Sequence, residues 1–334
     1  MLRYLIRRLL LLIPTLIGIL TLVFIMLEAI PGDPAVALAG DKATPAQLDA
    51  IRKSYGLDRP ILVQYLYYLK SAVTFDFGRS LRTHQPVTHE LHQFFGATIE
   101  LSIAALMIAL IVGIPLGVIA ATRRNTPTDY VSMIFALIGI STPVYWSGII
   151  CIYLLSFRLG IFPIAGIMDS DISLRHITYG YVTDSILTGN WPAFKSSVYH
   201  LALPAIVLST IPMAIIARMA RSSMLEILEL DYLRTARAKG LADRSVIIRH
   251  ALKNALIPVV TVIGLQFGGL ISGAFLTETV FARPGVGRYV VTAIGARDYP
   301  VIQATTLIVA VLFVLINLFV DLLYAYLDPR IHYE

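Results

Sequence analysis

The chain has 334 residues, of which 57% are hydrophobic and 14% charged, and its formal net charge is +6. A typical soluble domain is about 25% charged and about 45–50% apolar, so this composition excludes an ordinary soluble protein and predicts an integral membrane protein. The basic residues stand beside apolar runs, which argues against a nucleic-acid partner and favours contact with a lipid bilayer. The single cysteine, Cys151, rules out an intramolecular disulfide.

The first apolar run covers Leu9–Ile30 and follows three arginines. About 20 apolar residues cross about 30 Å of hydrocarbon, so residues 1–30 are predicted to form a cytoplasmic N-terminal end and the first spanning helix. The alternative is a signal peptide cleaved near Ala35–Ala37. Signal peptides have shorter apolar cores, of about 7–15 residues, which favours the spanning helix.

Residues 31–97 are more polar and predict an external subdomain rather than a span. The segment opens on Pro31–Pro34, a series of turn-forming residues. Two short amphipathic helices are predicted, at Pro45–Tyr55 and Pro60–Val73.

Residues 98–327 are predicted to form the membrane-embedded core of the chain, because five more apolar runs follow. Each reaches or approaches the length of a span, and they cover about Ile99–Ala121, Val131–Phe157, Leu201–Met219, Leu256–Phe275 and Ala304–Tyr326. The predicted fold class is therefore an all-α integral membrane protein with about six transmembrane helices. Prolines inside these runs are compatible with spanning helices, since neighbouring helices re-satisfy the freed carbonyls.

The distribution of basic residues predicts which ends face the cytoplasm. With the N-terminus inside, segments 122–130 and 220–255 and the tail 328–334 are cytoplasmic, and their basic density is about twice that of the outer loops. Both termini are therefore predicted to be cytoplasmic.

Small residues recur at four-residue spacing in the second and fifth apolar runs, where they allow close helix approach. Ordinary bundle packing is one interpretation, and a helix that borders a substrate path or partner subunit is the other. The denser stripe of the fifth run favours the second interpretation there. The glycines are Gly113, Gly117, Gly264, Gly268, Gly269 and Gly273.

Ionisable residues are scarce at membrane depth, which speaks against an ion-coupled secondary carrier. Asp321 is the exception, and its position near the cytoplasmic end favours an interfacial anchor. The sequence has no phosphate-binding G-x-x-x-x-G-K-[ST] loop and no catalytic constellation, so an enzyme is not predicted and any ATP use belongs to another chain. His84, His89 and His92 lie within nine residues, and a solvated segment is favoured over a metal site.

The cytoplasmic segment 220–255 predicts two short helices joined at a corner. Acidic residues come early in the first helix and basic residues late, as the helix dipole prefers. Ser222 or Ser223 is expected to cap the first helix, Gly240 to end it in the left-handed conformation, and Asp243 to cap the second.

Within this segment, Asp231–Leu241 resembles the EAA loop of ABC importer permeases, in the form used by the dipeptide, oligopeptide and nickel branch. Arg234 stands where the general motif has glutamate, and Lys253 where it has a later proline. Further motifs resemble the same branch: Pro31–Pro34, Leu203–Ala205, Thr277–Phe281, Pro284–Gly287 and Arg297–Pro300.

The resemblance implies a type I ABC importer permease-like bundle, most like the first permease of a dipeptide importer, with its large external loop. It implies a bacterial inner-membrane location, a second homologous permease, two cytoplasmic ATPase subunits that hold ATP and magnesium, and an external peptide-binding protein. No cofactor is expected in this chain. The cargo implied is a di- or oligopeptide, with nickel, glutathione or another small solute as the alternative.

The resemblance also assigns residues. Those expected to couple to the ATPase are Asp231, Tyr232, Arg234, Thr235, Ala236, Arg237, Lys239, Gly240 and Leu241. Those expected at an external gate are Glu278, Pro284, Gly285, Gly287, Arg297 and Asp298.

Overall fold

A computed structural model describes residues 2–29, 35–36 and 44–327. The turn Pro31–Pro34 and the tail 328–334 lie outside these residues, and nothing is described of the Asp321 side chain. Within the described ranges the regular structure is helical, apart from one isolated bridge between Arg79 and Pro86. The all-α class is therefore confirmed.

The principal helices of the described residues are numbered in chain order. They are α1 Leu2–Glu28, α2 Pro45–Tyr55, α3 Ile61–Thr74, α4 Val87–Thr122, α5 Pro127–Ser141, α6 Val144–Arg158, α7 Tyr181–Leu187, α8 Trp191–Leu228, α9 Asp231–Ala238, α10 Asp243–Val280, α11 Val286–Gly295 and α12 Tyr299–Leu327. The last turns of α6 and an early stretch of α10, Val246–Leu252, are π-helical.

Among the described residues, four helices, α4, α8, α10 and α12, are long and apolar enough to cross a membrane, and α5 with α6 forms a fifth span if the bent pair counts as one. Helix α1 adds a shorter apolar stretch, Ile13–Glu28. The six apolar segments thus all form helices. The predicted number of six spans is reached only if the bent pair counts as one span and α1 as another.

The third predicted span is broken rather than straight. Helices α5 and α6 meet at 103°, with Thr142 in an extended conformation between them. Pro143 explains the break, because proline has no N–H to donate to the helix and disfavours the α conformation in the residue before it.

The external segment contains the two short helices expected from its sequence. Helix α2 begins at a capping box in which Thr44 and Gln47 exchange hydrogen bonds, and it ends at Gly56 with a left-handed φ of 67°. Helix α4 begins at Val87 and continues to Thr122, so the last residues of the predicted external segment 31–97 already belong to this long helix.

Two of the buried apolar clusters join most of the helices. An outer cluster joins α1, α3, α4, α11 and α12 through buried side chains that include Phe24, Tyr68, Leu91 and Val301. A central layer joins α4 and α8 to α10, with Leu101, Leu208 and Leu270 among its buried residues. Helix α8 is the most enclosed of the spans, so it forms the centre of the bundle.

Candidate coupling helix and external polar network

The segment 220–255 is organised differently from the sequence prediction at its start. Helix α8 continues through Ser222 and Ser223 to Leu228, so neither serine caps a new helix. Instead the Ser223 hydroxyl, which is buried, donates to the backbone carbonyl of Ala255 at 2.9 Å. A hydroxyl that finds a partner on a neighbouring helix fastens the two helices together, here the inner ends of α8 and α10.

Helix α9 is a polar helix held by one apolar side chain. Leu233 is fully buried in a cluster with Met224, Val246 and Ala251. Tyr232 adds a polar anchor, since its hydroxyl accepts from Asn254 at 2.9 Å and donates to the His250 carbonyl at 3.3 Å. The remaining side chains of the predicted coupling set are exposed or half-exposed: Asp231, Arg234, Thr235, Ala236, Arg237, Lys239 and Leu241.

The corner after α9 is formed at Gly240, whose φ of 79° lies in the left-handed region as expected. Its N–H donates to the Arg237 carbonyl at 2.9 Å. Asp243 does not cap the next helix, because Ala242 holds the cap position with no side-chain bond. The Asp243 carboxylate lies 3.4 Å from Arg237 Nε instead, so it closes the corner as an ion pair.

Beneath this surface, Arg221 and Asp129 form a two-bond ion pair that sequence reasoning missed. The guanidinium donates to the two carboxylate oxygens at 2.7 and 2.8 Å, and Asp129 is buried. Two parallel bonds fix geometry as well as adding energy. The pair joins the first turn of α5 to the inner end of α8, next to the predicted coupling helix.

At the opposite end of the bundle, Glu278 is fully buried at the end of α10. Its carboxylate accepts from the Thr98 hydroxyl at 2.5 Å and from the Arg288 N–H at 3.1 Å. Thr98 also accepts from the Val286 N–H at 2.9 Å. This set of bonds joins α4, α10 and α11 at one point.

The turn after α10 needs its glycines for space rather than for backbone freedom. A Cβ at Gly285 would overlap the Glu278 carboxylate, and one at Gly287 would overlap the backbone of Phe275. Neither glycine has a positive φ. Pro284, between Arg283 and Gly285, is half-buried in the same turn.

Asp298 joins the start of α12 to the external segment. Its buried carboxylate accepts from the Ser80 hydroxyl at 2.5 Å and from the Arg82 N–H at 3.2 Å. Arg297, just before it, adopts a left-handed φ of 53°. Glu90 adds a parallel link, because it accepts from Tyr289 at 2.7 Å and from Thr83 at 3.0 Å.

Arg283 is the largest fully buried side chain in the described part of the molecule, and it was not among the residues predicted to be functional. A guanidinium nitrogen lies 3.7 Å from Glu100, whose other oxygen accepts from the Thr183 N–H at 2.7 Å. Burial of a charge is costly unless it is paired. Glu100 is the ion-pair partner of Arg283, but none of the three guanidinium nitrogens has a hydrogen-bond partner among the described residues. The only sequence signal is that Arg283 falls between two of the quoted motifs.

The glycine pairs divide into packed and open positions. A Cβ at Gly113 would lie 2.8 Å from the Met213 carbonyl of α8, and Gly117 is closer still to the same helix. Gly264 and Gly268 approach Val320 and Phe313 of α12 in the same way. In contrast, nothing lies within 4 Å of a Cβ at two positions on another face of α10, Gly269 and Gly273.

The external histidines are engaged separately. His89 hydrogen-bonds Gln93 at 3.0 Å, and the His92 ring meets Tyr179 edge-on at 5.2 Å. His84 adopts a left-handed φ of 58°. Among the described residues, no group of three or more His, Cys, Asp or Glu side chains is arranged to hold a metal ion.

A membrane helix bundle that presents a short polar helix on an apolar base at one end is the architecture of an ABC importer permease. The model for the binding-protein-dependent transport system inner membrane component matches residues 113–333, and its N-terminal companion matches residues 1–102. The chain belongs to this family. It is therefore an inner-membrane transport subunit rather than an enzyme, in a family whose members work with ATPase and binding-protein partners.

Curated relatives match along the whole chain. A dipeptide transport system permease protein from Alkalihalophilus pseudofirmus is 50% identical over 333 residues, and one from Escherichia coli K12 is 45% identical over 338 residues. Both alignments cover 100% of each chain. A glutathione transport system permease protein from Escherichia coli O1:K1 is 40% identical, again over 100% of each chain.

Solved structures confirm the fold. An inward-facing structure of a methionine ABC transporter superposes with a TM-score of 0.52 at 17% identity. The superposition covers 70% of this chain and 93% of that chain.

Proposed function

We propose that this chain forms half of the translocation pathway of an ATP-driven importer of di- and oligopeptides. The full-length similarity to dipeptide permeases, at 50% and 45% identity, supports the cargo class. The scarcity of ionisable residues in the middle of the apolar runs supports an external energy source, because an ion-coupled carrier usually places such residues at membrane depth.

Helix α9 is the proposed docking element for the ATPase. The observation that carries this is its two-sided construction: Leu233 is buried in the permease, while Arg234, Arg237 and Lys239 face outward. A helix with one anchored side and one free polar side can fit a groove of a second protein without unfolding. Two ATPase subunits, which hold ATP and magnesium, would each engage one permease of a homologous pair.

Movement of α9 would reach the bundle through its fixed contacts. Tyr232 bonds to α10, and Ser223 joins α8 to α10. A rigid-body shift of these helices between inward and outward openings is the expected consequence of ATPase closure. In this arrangement both chain termini are cytoplasmic, on the side of α9.

The proposed path runs along the open face of α10, where Gly269 and Gly273 have no neighbour within 4 Å of a Cβ. The second permease would complete the wall on this side. At the outer end, the buried network of Glu278 and Asp298 is proposed to hold the external gate, where the binding protein delivers peptide.

The coupling role is tested at Gly240 with two substitutions at one site. Gly240→Val places a β-branched residue at a φ of 79°, which such residues rarely adopt, whereas Gly240→Asn tolerates this conformation. We expect the valine variant to lose peptide uptake and ATPase co-purification, and the asparagine variant to keep both. Normal uptake and co-purification in the valine variant would refute docking at α9.

Glutathione is the second candidate cargo, because one full-length relative at 40% identity is a glutathione permease. Uptake of a labelled dipeptide by the whole complex, in competition with unlabelled dipeptides, glutathione or Ni²⁺, separates the candidates. Competition by dipeptides alone supports the peptide assignment, and competition by glutathione alone replaces it.

A further inference from the structure

Helix α3 has three distinct sides. Tyr68 and Ala72 are buried on one side, where Tyr65 also packs. Next to it runs an apolar stripe at helical spacing that the described part of the chain leaves uncovered: Leu62, Leu66 and Val73 are 67%, 57% and 81% exposed, with half-buried Leu69 between them. The remaining side is more polar, and carries Gln64, Lys70, Ser71 and Thr74, with half-buried Val63 and exposed Tyr67 among them.

The packed side places α3 against the outer part of α1. The Tyr65 hydroxyl lies 2.6 Å from the Thr21 hydroxyl, and the Phe24 ring lies 5.3 Å from Tyr65 and 5.9 Å from Tyr68. Thr21 precedes Glu28, the first charged residue at this end of α1, by seven positions, or about 10 Å of helix. Helix α3 therefore contacts α1 within its apolar run, and not only at the charged end of α1.

The uncovered stripe continues a surface that already faces lipid. Leu22, Ile25 and Met26 of α1 are large, apolar and well exposed, and they lie beside the Thr21 and Phe24 contacts to α3. In a spanning helix such side chains face hydrocarbon. The apolar surface of α1 thus runs on to α3 at the depth where the hydrocarbon meets the headgroups.

Charge and aromatic placement fit the same location. Lys70 lies on the polar side of α3, and the Arg59 guanidinium sits 4.4 Å from the centre of the Tyr67 ring at the start of the helix. Tyrosine prefers the membrane interface, and basic side chains there meet lipid phosphates.

We propose that α3 is an interfacial helix whose Leu62–Leu66–Val73 stripe inserts into the outer leaflet of the bilayer beside α1. The external segment is then held to the membrane by this helix as well as by its connections to α1 and α4. An apolar side chain in such a position is typically buried about 5–10 Å into the boundary between headgroups and acyl chains.

The placement is tested by spin labelling of the full-length permease in its complex, reconstituted in phospholipid vesicles. Cys151 is replaced by serine, and single cysteines replace Leu62, Leu66 or Val73, with Thr74 and Lys70 as matched controls on the polar side of α3. Collision rates with oxygen, which partitions into lipid, and with a water-soluble nickel chelate are then measured. We expect the oxygen-to-chelate ratio at the three stripe positions to exceed that at the controls several-fold.

Two outcomes overturn the proposal. Stripe labels as accessible to the chelate as the control at Thr74 would place the stripe in water. Stripe labels shielded from both oxygen and chelate would show that a protein covers it, whether the second permease or the binding protein.

A second variant removes the apolar side chains that favour insertion into lipid and leaves the side of α3 that packs on α1 unchanged. Leu62→Glu with Leu66→Glu is expected to lower the oxygen-to-chelate ratio of a label at Val73 to the control value, because carboxylates do not remain in the acyl region. Thr74→Glu is the matched control and leaves that ratio unchanged. An unchanged ratio in the double variant would contradict insertion.

Discussion

Single glycines set the distance between α4 and α8. A Cβ at Gly117 would lie 2.7 Å from the Ala220 Cβ and nearer still to the Ala217 carbonyl. In lipid, helices associate through packing and hydrogen bonds rather than through hydrophobic burial, so close approach at small residues carries much of the association. The spacing of Gly113 and Gly117 could be recognised in the sequence, but not which helix they meet.

We expect Gly117→Ala to destabilise the purified permease by about 1–3 kcal/mol, as overpacking commonly does. The matched variant is Gly273→Ala, where nothing lies within 4 Å of the added Cβ. There alanine favours the helix by up to about 1 kcal/mol relative to glycine. Thermal unfolding in detergent measures both, and equal effects of the two variants would contradict the packing described.

Asp184 shows how one carboxylate can organise an external loop. It is fully buried, and it accepts N–H bonds from Ile177 at 3.0 Å, Thr178 at 2.8 Å and Tyr179 at 3.1 Å. Burial alone would raise the pKa of this carboxyl, but the bonds from Ile177 and Thr178 favour the ionised form and hold the pKa below its usual value.

A lowered pKa in the folded protein means that ionised Asp184 stabilises the fold above its unfolded pKa of about 3.9, and that this contribution is lost as the pH falls through the lower folded value. We therefore expect Asp184→Asn to lower the melting temperature at pH 7, with a loss of about 1–3 kcal/mol from the unsatisfied donors. The difference in melting temperature between the variant and the unmodified protein should become smaller below about pH 4.

The control for this measurement is Asp171→Asn, in the same loop, where the side chain is exposed. It should leave the melting temperature unchanged at either pH. The lowered pKa would be contradicted if Asp184→Asn had the same melting temperature as the unmodified protein at pH 7. It would also be contradicted if the difference in melting temperature became larger in acid.

At the scale of whole elements, the sequence predicted where helices cross the membrane better than where they begin and end. The fourth apolar run covers Leu201–Met219, yet α8 extends from Trp191 to Leu228. Hydropathy reports the thickness of the hydrocarbon layer, whereas helix length also depends on polar turns that pack outside it. The Ser223 bond to Ala255 is one such contact, and no local pattern signals it.

At the corner that follows α9, some residue roles were also predictable from the sequence and others were not. Gly240 was predictable because only glycine adopts a left-handed turn without steric cost, so the residue type itself carries the signal. The roles of Ser223 and Asp243 were not predictable, because a serine or aspartate near a helix start serves equally as a cap or as a tertiary partner. Only the path of the neighbouring helix decides between the two.

The bend between α5 and α6 can be measured directly. Tyr130 and Phe157 lie about 19 Å and about 22 Å of helix from the break, so a bend of 103° places them about 25 Å apart, against about 40 Å in a straight helix. Spin labels at Tyr130→Cys and Phe157→Cys, in a Cys151→Ser background, report this distance by pulsed dipolar EPR. A distribution centred near about 40 Å would show that the span is straight.

For the molecule as a whole, we expect transport to depend on a separate ATPase, since the sequence contains no phosphate-binding G-x-x-x-x-G-K-[ST] loop. Vesicles that contain this chain without an ATPase are expected to show no ATP-dependent peptide uptake. The complete complex, with a second permease, ATPases and binding protein, is expected to restore it. Concentrative uptake by this chain alone, driven by a proton or sodium gradient, would identify a secondary carrier instead.

Helix α8 reaches from one side of the bundle to the other without interruption. Its first turn is capped by Asn190 in the external loop, and its last turns hold the Ser223 and Arg221 bonds. With 38 residues it is about 57 Å long, so a tilt of about 10° around its midpoint displaces each end by about 5 Å in opposite directions. A small change in the angle of α8 at the middle of the membrane therefore produces a shift close to one helical turn at both surfaces at once.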